Sequence, residues 1–174
     1  MKTKRLTELA LLSAIAPTIF IIEQKIPNPF PIPGVKLGLA NIVTVYALYR
    51  YRPKEVFLLV MTRVILGAVF GGNLMALLYS AAGSLLCLGG MIPLHRLIPE
   101  RILWTGSVLG AVLHNIGQIT VAVLVMKSTA VLMYFPFLLV SGCCAGAFTG
   151  LSAMLLLRRN PYMASTARSR SKTL

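Results

Sequence analysis

The sequence contains no aspartate, and its only acidic residues are Glu8, Glu23, Glu55 and Glu100. This absence excludes the paired Asp-rich magnesium sites with which prenyl-transferring enzymes hold diphosphates. Cysteine is sparse too: Cys87, Cys143 and Cys144 have neither metal-ligand spacing nor the pattern of a disulfide framework. The two histidines, His95 and His114, have no Cys, Asp or second His at ligand spacing, so no metal and no cofactor are expected. P-loop, G-x-S-x-G and zinc motifs are missing as well. The chain therefore reads as a non-enzyme. Charge of any sign is scarce, at 12% of residues, about half the share usual in a soluble domain.

Apolar residues fill the gap: they make up 57% of the 174 residues, and the mean hydropathy is +0.81. The net charge of +13 would suit nucleic acid only if a soluble face carried it. Here the basic residues stand at the ends of apolar runs, the arrangement of membrane proteins. Six runs approach the roughly 20 residues that cross a bilayer. They cover residues 6–22, 36–51, 55–71, 73–92, 104–126 and 131–157. The second is short, but Lys36 and Arg50 at its ends can snorkel to the interfaces.

Charge placement gives the orientation. With the N-terminus inside, the cytoplasmic segments hold thirteen basic residues and the outer segments three, Lys25, Lys36 and Lys127. The expected fold is an all-α integral membrane protein with six transmembrane helices and both termini cytoplasmic. Residues 1–157 form a single membrane domain in the cell membrane. The basic, Ser-rich tail, 158–174, is read as disordered and able to touch anionic lipid. The first sixteen residues resemble a signal peptide, with Ala14-Ile15-Ala16 as a cleavage site, but Glu8 interrupts the apolar run, and an uncleaved first helix is expected.

Polar residues inside the spans indicate a site. Arg63 lies near the middle of the third span, where an arginine costs about 2.5–3.5 kcal/mol on insertion scales, so it should face a partner or a wet cavity. Glu23, the acidic residue on the predicted outer side, is its nearest counter-ion. In the fifth span the stretch "HNIGQ" places His114 and Gln118 on one helix face, with Asn115 beside them and Gly117 admitting another backbone. Interhelical hydrogen bonding is the plain interpretation of these amides; a midplane site shared with Arg63 is the sharper one. Asn41 and Asn73 add amides near the same side, Tyr79 and Tyr134 hydroxyls, and Lys36 a cation. The outer half is net positive among Leu, Ile, Val, Met and Phe, which suits a small amphiphilic ligand bearing an anionic group.

Two further features bear on mechanism. Pro27, Pro29, Pro31 and Pro33 remove four backbone donors, and Gly34 frees the turn that follows. This segment reads as a stiff lid at the mouth of the site, or as a rigid spacer. Ala10 and Ala14, four apart, form a small-xxx-small face that permits close helix approach, either to a partner or within the bundle.

The stretches "IPNPFPIPGVKLGLANI", "TRVILGAVFGGN" with "LLYSAAG", "GAVLHNIGQI" and "FTGL" together resemble the bacterial Gx transporter family, whose members are often labelled heptaprenyl diphosphate synthase component I. The resemblance covers about residues 6–157. It implies kinship with the substrate-binding S components of energy-coupling factor (ECF) transporters, six-helix membrane proteins that bind a ligand from outside. In those, an A-x-x-x-A face on the first helix docks on a transmembrane coupling subunit linked to ATPases, and Ala10 and Ala14 occupy that pattern. Substrate contacts then fall to Glu23, Lys36, Asn41, Arg63, Asn73, His114, Asn115 and Gln118. Two other functions remain open. One is a non-catalytic membrane accessory in isoprenoid, prenyl diphosphate or quinone metabolism; the other is a membrane component of an envelope or redox complex.

Overall fold

A computed structural model describes residues 2–25, 39–72 and 74–159. The described residues form six α-helices: α1 (Lys2–Lys25), α2 (Asn41–Arg50), α3 (Pro53–Gly71), α4 (Leu74–Leu97), α5 (Leu103–Met126) and α6 (Phe135–Arg159). Short 3-10 segments, Glu100–Ile102 and Thr129–Tyr134, precede α5 and α6. There is no strand among the described residues. This helix-only economy is what an apolar solvent demands, since each helix satisfies its own backbone.

Local sequence explains where helices begin and end. Pro53 opens α3 at a position where its missing N–H costs nothing, and the Glu55 carboxylate accepts the Arg52 N–H at 2.8 Å. Gly72 closes α3 in the left-handed region, φ 62°, and its N–H donates to the Ala68 carbonyl. Pro17 in α1 and Pro93 in α4 are both carried inside continuous helices.

Among the described residues, four stretches are long and apolar enough to cross a membrane: Leu6–Glu23, Leu77–His95, Leu103–Met126 and Thr129–Leu157. The expectation of six spans is met only in this coarser form. The second run, 36–51, is a ten-residue helix in its described part, about 15 Å long and half the thickness of a bilayer core. Helix α3 is 19 residues long but carries Lys54, Glu55 and Arg63. The last run also differs: Thr129–Tyr134 is a 3-10 segment, and α6 continues to Arg159, so residues 158 and 159 belong to a helix and not to the tail. Positions 160–174 lie outside the described residues.

Helix α5 packs between α4 and α6, α1 lies on α3, and α2 fits against α6 and α3. One apolar cluster joins the N-terminal half of α1 to the ends of α2, α4 and α6, with Leu48, Tyr51, Val56, Met91, Leu103 and Leu157 at its centre. At this end the Tyr51 hydroxyl donates to Glu8 at 2.9 Å, Arg50 lies 3.8 Å from the same carboxylate, and the Tyr49 hydroxyl meets the Ile98 carbonyl. The basic positions 2–5, 50–54, 96–101 and 158–159 are thereby gathered at one end of the bundle. A second cluster, Tyr79, Ile119, Ala122, Val131 and Leu138, closes the opposite end. Many large apolar side chains, among them Leu58, Val69, Phe70, Leu124, Phe137 and Leu155, face outward, where lipid would meet them. The chain is a multi-pass membrane protein.

Candidate functional site

The polar residues of the spans are buried between these two apolar clusters. Helices α4 and α5 touch backbone to backbone: a Cβ added at Gly117 would lie 2.7 Å from the Ala82 carbonyl oxygen, and one at Gly83 2.8 Å from that of His114. This approach sets His114 and Gln118, one turn apart on α5, against Ser80 of α4. On the other side, Arg63 rises from the middle of α3 toward the first turn of α2.

Arg63 is 2% exposed, and three neutral acceptors hold its terminal nitrogens. Nη1 donates to Asn41 Oδ1 at 3.1 Å and to Thr44 Oγ1 at 3.4 Å; Nη2 donates to Ser84 Oγ at 2.6 Å. Asn41 and Thr44, three apart, present their oxygens on one face of α2. The guanidinium fork thus ties α2 and α4 to α3, while its Nε has no hydrogen-bond partner.

Around this group lies a cavity lined by Phe20, Glu23, Ala40, Asn41, Arg63, Ser80, His114 and Gln118. It spans about 220 Å³ of space outside protein atoms, a figure that includes open solvent, and leaves room for about one water-sized sphere. Glu23 is buried in the wall and acts electrostatically on Arg63. Gln118 is completely buried, and neither its Oε1 nor its Nε2 has a hydrogen-bond partner. Ala40, the N-cap of α2, and Asn41, its first residue, bring a helix N-terminus to the wall, a place that favours negative charge.

The structure therefore brings Glu23, Asn41, Arg63, His114 and Gln118 together. Asn115 points elsewhere: its Nδ2 donates to the Leu138 carbonyl at 2.6 Å, linking α5 to α6 beside Gly142. It is absent from the cavity wall, so its place is the interhelical hydrogen bond of the plainer interpretation. Tyr79 packs in the apolar cluster opposite the basic end, and Tyr134 is exposed. Lys36, Asn73, the four prolines and Gly34 lie outside the described residues. Thr44, Ser80, Ser84 and Phe20 were not legible as site residues, because single hydroxyls and a phenylalanine are ordinary in apolar helices. Their signal was spacing: Asn41 to Thr44, and Ser80 to Ser84, each repeat on one helix face.

Among the described residues, no group of three His, Cys, Asp or Glu side chains could hold a metal ion. Ala10 and Ala14 are both exposed on α1. A family model described as heptaprenyl diphosphate synthase component I matches residues 12–156. No curated protein and no solved structure matches the chain.

Proposed function

The chain belongs to the heptaprenyl diphosphate synthase component I family, and from that premise we propose that it is a non-catalytic, substrate-binding membrane subunit of an ECF-like transporter. The observation that carries this reading is the cavity, where five helices converge on a buried arginine that is hydrogen-bonded to neutral acceptors, with the Glu23 carboxylate acting on it through space. A guanidinium so held keeps its charge available to an anionic group, while Phe20 and the apolar clusters suit an apolar body. The ligand is accordingly a small amphiphile with an anionic group. The basic end of the bundle faces the cytoplasm by the positive-inside rule, which places both termini inside and opens the cavity toward the outside. All six helices then lie within the membrane.

Release requires energy from partners, since the chain has no ATPase motif. The exposed Ala10 and Ala14 offer a smooth face on α1 for a transmembrane coupling subunit and its ATPases. The family description, a component, fits a protein that works in a multi-subunit assembly. It also favours a second function, a membrane accessory that presents a prenyl diphosphate to a catalytic partner. Native mass spectrometry of protein extracted gently from its own membrane separates the two. A co-purifying small ligand with a coupling subunit is expected; a prenyl transferase in its place would transfer support to the accessory role. Retention of the ligand by Arg63→Ala would refute the assigned site.

A further inference from the structure

The strongest clue to the ligand is Gln118, not Arg63. A primary amide offers two donors on nitrogen and an acceptor oxygen. In this chain the whole group is sealed from solvent, lines the cavity, and is hydrogen-bonded at neither end. Buried polar groups in native proteins are almost always paired, so an unpaired one calls for a partner that the chain itself does not supply, such as a water, an ion or a ligand. The requirement does not depend on which way round the amide lies, because both ends are unpartnered and a flip exchanges them.

A purely anionic group cannot meet that requirement. Carboxylates and ionised phosphates present only acceptors, so they pair with Nε2 and leave Oε1 buried without a donor. A group with N–H and C=O side by side on one edge pairs with both ends at once. We propose that the ligand carries a cis-amide edge, as in a lactam, ureide or cyclic imide, which docks on Gln118, with its anionic or carbonyl oxygen directed to Arg63. This deepens, and rests on, the reading of the cavity as a substrate site. It also narrows the choice of function, since a fully ionised prenyl diphosphate lacks the donor.

Three probes of one ring size isolate the donor. 5-Oxoproline has the lactam edge and a carboxylate, N-methyl-5-oxoproline lacks the N–H, and cyclopentanecarboxylate keeps only the carboxylate. Binding to the full chain in lipid nanodiscs is measured by titration, with inorganic diphosphate as an acceptor-only anion. A missing donor that strands one buried acceptor corresponds to about 5- to 150-fold. The expected result is 5-oxoproline binding at least about 5-fold tighter than the other three, with the preference gone in Gln118→Met. Equal affinities for the three ring probes, all dependent on Arg63, would overturn the cis-amide edge and leave the anion-binding cavity standing. Equal affinities in wild type and Gln118→Met would show that water alone satisfies the amide, and would also overturn it. If no probe binds, the cis-amide class falls, and the transporter reading falls with it only if the extracted protein also carries no small ligand.

Discussion

Replacing Gln118 by Met should make the empty protein more stable while abolishing its discrimination between ligands. Each buried polar atom without a partner costs about 1–3 kcal/mol, and Gln118 has two such atoms at zero exposure. The upper range is therefore about 2–6 kcal/mol. Methionine is close in length and flexible, and a swap of this kind costs under about 1.5 kcal/mol in packing. A single water held beside the amide would remove part of the penalty. A net gain of about 1–3 kcal/mol is the expected outcome, read as a later midpoint when folded protein in mixed micelles is titrated with a denaturing detergent. Most substitutions of buried residues shift that midpoint the other way. A lower midpoint, or none of the gain, would mean that Gln118 is satisfied in the resting protein and would refute the reasoning.

Three other outcomes follow from the packing. Gly117→Ala forces a Cβ to within 2.7 Å of the Ala82 carbonyl oxygen and 2.8 Å of Gly83 Cα, both backbone, so α4 and α5 must separate; a loss of about 1–3 kcal/mol is expected in the same titration. Arg63→Lys keeps the charge but not the fork, and one ammonium cannot replace bonds directed to both α2 and α4; stability should fall by about 1–3 kcal/mol, with ligand affinity falling in parallel titrations. Tyr51→Phe removes the 2.9 Å bond to Glu8 at the basic end and should cost about 1 kcal/mol, leaving probe binding at the distant cavity unchanged.

Much of the site was legible because a membrane makes polar residues conspicuous. Arg63, Glu23, His114 and Gln118 are each costly in an apolar span, so their types alone announced a cluster. The i, i+4 spacing of His114 and Gln118 gave them a common face, which the structure turns toward the cavity. Asn115 shows the limit of such inference. One residue away on a helix is about 100° of rotation, and that carries its amide to α6. Hydropathy also could not tell that the second run contains only a ten-residue described helix, since an apolar count measures composition and not where a helix starts.

The short α2 has its own logic. Helices α2 and α3 leave the same turn, Tyr51–Arg52, and run back through the bundle side by side. Asn41 lies ten residues before Tyr51, and Arg63 eleven after Arg52, so at 1.5 Å per residue both sit about 15 Å from that turn. Equal depth is why the buried guanidinium finds the Asn41 and Thr44 oxygens. It is also why α2 does not need to be longer. A helix that continued past this level would cover the guanidinium with its own side chains. By starting at this level, α2 supplies the acceptors and brings its positive N-terminus to the cavity wall. The cavity thus follows from a count of residues on two helices, a relation present in the sequence once the turn between them is located.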